Sequence, residues 1–382
     1  MLELAWLHEQ RAPEPEGVSD GDEELRWRLE AQLISFAGID SIHAGVALRH
    51  LERVPHGLQG KTAGERAILA ELALAALRAG DHVDAVVDLA RRAYGGGQLL
   101  AEQPPGSLLV QDAIWTLALT EQHDLAIHAY DRLIAQARLQ GWPIVYALIS
   151  ARRSQLDVLR GAIPDAIADA QAAVDVGSRF GPSLVAPSLY GPLARALLEA
   201  GDVQGAERAL ASSAVGEQIP PILPFFTLID GRGRMRLAQG DSQAGIDDLL
   251  AGHDLLAGIG VANPAGSHCR STPAVALARA GRRDEALRLV SEELLDARRF
   301  GAPMTVGTSL RAAGVVEGGR AGRRLRPQQA RLGPAVLARA RNRNSHAGLH
   351  RTTRAQPRSY AGATDAAHVP PAEPRAVRAD GV

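Results

Sequence analysis

The stretch Leu156–Pro182, LDVLRGAIPDAIADAQAAVDVGSRFGP, contains the end of one helix, a glycine turn, a second helix and a glycine exit. Its grammar recurs along the chain. A turn glycine followed five residues later by a small residue occurs at Gly80/Ala85, Gly161/Ala166, Gly201/Ala206, Gly240/Gly245 and Gly281/Ala286, and Glu121/Ala126 fills the remaining slot. Successive slots are 41, 40, 40, 39 and 41 residues apart. Gly141, Gly181, Gly260 and Gly301 fall 20 residues after four of the slots and divide each unit into two helices. A period near 40 predicts a superhelical array of antiparallel helix hairpins, an all-α, tetratricopeptide-like solenoid.

Composition agrees with this reading. Hydrophobic residues make up 46% of the 382 residues but aromatics only 4%, which suits closely packed helices and suits strands poorly. The single cysteine, Cys269, excludes an internal disulfide framework and fits a cytoplasmic location. No apolar run reaches the roughly 18 residues of a membrane span, and the opening MLELAWLHEQ lacks the pattern of a secretory leader. The net charge of −1 hides an asymmetry: residues 320–382 carry 13 arginines against three acidic residues, about +10, and residues 1–319 carry about −11.

Three segments follow from the pattern. Residues 1–61 read as an N-terminal helical segment continuing the solenoid, with an apolar spacing of Leu25, Leu29, Leu33 and Phe36, then Ile42, Val46 and Leu51. Residues 62–319 read as the repeat domain, opened by a capping box at Thr62 and Glu65. Helix pairs are expected near 66–78 and 81–94, 107–120 and 123–140, 142–160 and 164–179, 183–200 and 203–212, 222–239 and 242–258, and 267–280 and 283–299. In the last helix Leu287, Val290, Leu294 and Ala297 form the expected core stripe. Residues 320–382, rich in Arg and Pro, read as a disordered tail, either a genuine basic extension or an out-of-frame reading of GC-rich DNA.

The small residue five after each turn has a steric explanation. Two helices can approach closely near their turn only if the side chain between them is small. The turn glycines suit a left-handed backbone closing a helix.

No residues spell out catalysis, and no catalytic, cofactor or metal residue is assigned. Gly60-Lys61-Thr62 lacks the glycine a P-loop needs at position 55, which is Pro55, so helix capping is the expected role. Gly231-Arg232-Gly233 has Arg236 where a dinucleotide fingerprint requires glycine. His268 beside Cys269 offers two metal ligands where zinc needs three or four, so a structural role is expected. His346 and His350 lack the glutamate of a zinc-protease helix, His123 and His128 fall on different helical faces, and Asp247 and Asp248 read as a solvated surface.

The strings LQGKTAGERAILAELALAALRAG (58–80), GPLARALLEAGDVQGAERAL (191–210), LIDGRGRMRLAQGDSQAGIDDLLAGHDLLAGIGVANPA (228–265) and ALARAGRRDEALRLVSEELLDARRFGAPMTVGTSLRAAGVVEGG (276–319) resemble the middle region of large ATP-binding, LuxR-type transcriptional regulators of the maltose-activator class. The resemblance covers about residues 20–320. It implies a helical-repeat sensor whose groove binds a protein segment or small effector, placed between a nucleotide-binding module and a DNA-binding helix-turn-helix. Neither module is legible in this chain, so the expectation is a truncated, non-enzymatic regulator without cofactor. Nucleic acid would meet at most the basic tail, without sequence preference. The alternative is a stand-alone tetratricopeptide-like adaptor for protein–protein interaction.

Overall fold

The computed structural model describes residues 20–180, 187–220 and 222–318, and their regular elements are all helices, with no strand among them. The chain divides into two units, Met1–Gln329 and Ala330–Val382, and every described residue lies in the first. The opening decapeptide, Gly181, the Arg/Pro-rich tail, His346 and His350 fall outside the described residues.

The helices are α1 (Asp20–Ala37), α2 (Ala44–Leu51), α3 (Ala63–Ala79), α4 (Val83–Tyr94), α5 (Gln98–Glu102), α6 (Leu108–Leu119), α7 (His123–Leu139), α8 (Pro143–Arg160), α9 (Ile163–Gly177), α10 (Pro187–Glu199), α11 (Val203–Ser212), α12 (Phe226–Gln239), α13 (Ser242–Gly258), α14 (Ser271–Arg279), α15 (Arg283–Phe300) and α16 (Pro303–Glu317). The six expected pairs are α3/α4, α6/α7, α8/α9, α10/α11, α12/α13 and α14/α15. The triglycine Gly95–Gly97 forms a turn of 3-10 helix and leads into the short α5 rather than an unstructured break.

The turns close as the glycine spacing demands. Gly80, Gly161, Gly201, Gly240 and Gly281 have φ between +75° and +92°, and Glu121 takes the same left-handed conformation at φ +65°. In each turn two amides bond back to the last helical carbonyls. At Gly161, for example, Gly161 N–H donates to Val158 O and Ala162 N–H to Asp157 O, which satisfies carbonyls that a helix end otherwise leaves open. At the start of α3, Thr62 Oγ1 accepts from Glu65 N–H at 3.1 Å, and Glu65 Oε2 accepts from Lys61 N–H at 2.9 Å.

Ala126, Ala166, Ala206, Gly245 and Ala286 are buried between their helices, but Ala85 is exposed. The turn before α4 is one residue longer, with His82 ahead of the helix, so the fourth residue of the second helix, buried in every hairpin, is here Val86. One hairpin therefore accepts a β-branched side chain at the crossing. The approach is close at α12/α13, where a Cβ on Gly245 would lie 2.8 Å from Gly233 O. Ala166→Leu is expected to cost about 1–3 kcal/mol by overpacking, and Ala85→Leu no more than about 0.5 kcal/mol. Urea midpoints of the two variants check the contrast.

Two apolar stripes differ from their sequence reading. In α1 the buried face is Trp27, Ala31 and Ile34, while Leu25 and Leu29 are more than half exposed; the bulky indole sets which face packs on α3. In α15 the buried stripe is Ala286, Leu289, Val290, Glu293, Ala297 and Phe300, rotated so that Glu293 lies at its centre.

Helix packing follows sequence order, and the first helices of successive hairpins also touch: α1 with α3, α3 with α6, α8 with α10, α10 with α12 and α14 with α16. One set of contacts joins elements far apart in sequence. The segment between α13 and α14 returns to the end of α3, where Ala262 and Asn263 N–H donate to Arg78 O at 2.8 and 3.2 Å and Asn263 Nδ2 donates to Leu77 O at 2.9 Å. Arg299 Nη2 donates to Ala79 O at 2.6 Å, and Leu223 N–H donates to Ile39 O at 3.2 Å. Leu74, Leu77, Val86, Leu119, Ala265, Phe300 and Ala302 pack as one apolar cluster beneath this seam. The carbonyls at the end of α3 are thus bonded by residues about 180 to 220 positions away, which joins late repeats to early ones.

Candidate functional site

The contacts between early and late repeats border a partly open chamber of about 510 Å³, within the size range of small-molecule sites. Its wall comes from the first helices of the early hairpins: Phe36 of α1, Leu74 and Arg78 of α3, Gln111, Asp112 and Trp115 of α6, and Leu148 and Arg152 of α8. Leu223, Phe226, Leu256 and residues 259–267 complete it. First helices therefore line this interior, a choice that sequence spacing left open.

Most of the wall is apolar, with one charged group set into it. Asp112 Oδ2 accepts from Ser35 Oγ at 3.2 Å. Burial pushes the Asp112 carboxyl above its usual range against the opposing charges of Arg78 and Arg152. Behind it Glu71, almost fully buried, is held well above the ordinary carboxylate range by burial and by the charge of Asp112. Arg152 stacks on Trp115 with its guanidinium 5.3 Å from the ring centroid. Arg78 Nη1 donates to Gly38 O at 3.2 Å. The sequence signals for this group were lone acids in the apolar runs AILAELALAAL of α3 and LLVQDAIWTLAL of α6.

Residues weighed from sequence have other duties. Thr62 caps α3. Arg232 forks onto Asp248 at 2.7 and 2.9 Å, and Arg236 joins them at 2.9 Å. Asp248 is therefore a buried ion-pair residue rather than part of a solvated surface, whereas Asp247 is exposed. Gly233 allows α12 and α13 to meet, since a Cβ there would lie 2.8 Å from Leu249 Cγ.

His268 Nδ1 lies 3.0 Å from Glu293 Oε1, where it donates because an ionised carboxylate carries no proton. Cys269 is buried, and burial followed by the charge of Asp230 pushes its thiol up to about 12. Among the described residues no three His, Cys, Asp or Glu side chains are grouped to hold a metal, and no helix is long and apolar enough to cross a membrane. His123 is half-buried and His128 exposed on α7.

Glu293 is fully buried and accepts from Ser271 N–H at 2.8 Å, Arg270 N–H at 3.3 Å, Ser309 Oγ at 3.0 Å, Ser271 Oγ and His268. It ties the start of α14 to α15 and α16. Arg153 plays a similar part between α8 and α9, with Nε and Nη2 on Asp169 at 2.5 and 2.6 Å and Nη1 on Asp131.

No family model matches the chain, and no curated protein matches it. Among solved structures it is similar to the crystal structure of the APC/C hetero-tetramer Cut9-Hcn1, at 17% identity and a TM-score of 0.42. The match covers 76% of this chain and 55% of that one, so the chain spans little more than half of the protein it matches.

Proposed function

We propose that residues 20–318 form a non-catalytic sensor whose interior chamber binds an effector, and that this sensor belongs to a regulator of the LuxR type. The first part is carried by one observation: the seam between Ala262–Asn263 and α3 borders a partly open, largely apolar chamber with a few polar groups set into its wall. The regulator context is supported by the four sequence strings quoted above. The charged residues outside the chamber join helices to one another, as Glu293, Arg153 and Asp248 do, which favours a binding role over catalysis.

Leu148→Trp tests the reading, because it places an indole in the chamber without touching the seam. Any metabolite or decapeptide that raises the melting temperature of the full chain is expected to lose that effect in the variant. Ligand responses that persist unchanged would place the site elsewhere and defeat the proposal.

A further inference from the structure

The polar groups of the chamber narrow the chemistry of its occupant. Arg152 lines the wall and stacks on Trp115, yet makes no ion pair among the described residues, and Arg78 likewise lacks a carboxylate within 4.0 Å. Such arginines differ from the rest of the interior, where Arg66, Arg153, Arg232 and Arg270 each hold a carboxylate. Gln111, only 6% exposed, lines the same space and makes no side-chain hydrogen bond among the described residues, although a buried polar side chain is nearly always paired.

We propose that the chamber binds a small amphipathic organic acid, its carboxylate held between Arg152 and Arg78 and its apolar body laid along Leu108, Leu148, Phe226 and Leu256. This rests on the chamber being the ligand site. Arginine suits the role because its planar fork meets a carboxylate with two parallel hydrogen bonds. Stacking on Trp115 leaves the edge of the Arg152 guanidinium free to donate. Gln111 supplies a further donor for an oxygen along the ligand.

Asp112 opposes an anion, but two cations, Arg78 and Arg152, flank it. A cationic ligand would leave both arginines unpaired and face their repulsion. A volume of about 510 Å³ favours a small molecule over an extended protein segment.

Calorimetric titration of the full chain with sodium decanoate, decanol and decylamine tests the assignment. Decanoate is expected to bind saturably, one per chain, at least tenfold more tightly than decanol or decylamine. Arg152→Gln should lower decanoate affinity at least tenfold, and Arg152→Lys should lower it less, because charge survives without the fork. The comparison among three ligands uses the unaltered protein, so a poorly folding variant does not remove the test.

Equal affinity for decanol, preference for decylamine, or decanoate binding indifferent to both Arg152→Gln and Arg78→Gln would overturn the proposal. So would failure of all three amphiphiles. If a peptide response sensitive to Leu148→Trp accompanied that failure, the chamber would remain the site and only its ligand class would be wrong.

Discussion

Glu293→Ala is expected to destabilise the protein by about 3–5 kcal/mol, measured as the loss of unfolding free energy in urea at pH 7. The substitution removes the common acceptor of His268, Ser271, Ser309 and two backbone amides in a fully buried place, and each stranded donor bears its own desolvation penalty. Glu293→Gln should also destabilise, since the amide brings donors to a position surrounded by donors.

The acid limb gives a second signature. Burial alone would raise the Glu293 carboxyl, but the hydrogen bond and charge of His268 and the bonds from Ser271 outweigh it and hold the carboxyl at about 2, below the ordinary 4.5. A carboxyl depressed in the folded state contributes stability that is present above pH 4.5 and is lost as pH falls toward 2. The shift amounts to about 3 kcal/mol at 1.36 kcal/mol per unit. Glu293→Gln should therefore flatten the fall in stability across that window. An unaltered acid limb in the variant would contradict the hub role of Glu293.

Arg153→Met is expected to cost a comparable 3–5 kcal/mol at pH 8, because removing one member of a buried pair leaves Asp169 without its fork. The neighbouring Asp157 supplies the control. Burial, then the charges of Asp169 and Asp165, raises its carboxyl to about 6, despite Arg160 and Arg153. A carboxyl raised in the folded state makes the protein more stable at low pH, and that advantage is lost as pH rises from about 4 through 6. Asp157→Asn should thus stabilise the protein at pH 8 by about 1–3 kcal/mol and have little effect near pH 4, as read from melting temperatures at the two pH values. Destabilisation at both would refute it.

Sequence reading recovered the hairpins because their turns make a demand that only a few residues meet without strain. A left-handed residue closing a helix is written as glycine at Gly161, Gly201, Gly240 and Gly281. The period alone placed Glu121 in the same conformation. Spacing was less reliable where one residue changed the register, as His82 did by moving the buried position from Ala85 to Val86. Hydrophobicity also misplaced the core where polar groups were buried in pairs: no local pattern says that Glu293 belongs at the centre of the α15 stripe, since its partners come from α14 and α16. The chamber was illegible for a related reason. Its wall is assembled from side chains on α1, α3, α6, α8 and α12, and the Ala262–Asn263 contact with α3 has no counterpart in local sequence.

That contact bears on how such a chain can change in length. An open array tolerates the gain or loss of a unit, because each repeat stabilises only its neighbours. Here Asn263 must reach Leu77 across 186 residues, and bringing such distant points together costs on the order of 5 kcal/mol in loop entropy before the seam returns anything. Duplication of one 40-residue unit between α3 and α13 would carry residues 259–267 past their carbonyls and leave the end of α3 uncapped. Repeat number is thereby coupled to fold integrity, and insertions or deletions in multiples of the repeat should not be tolerated.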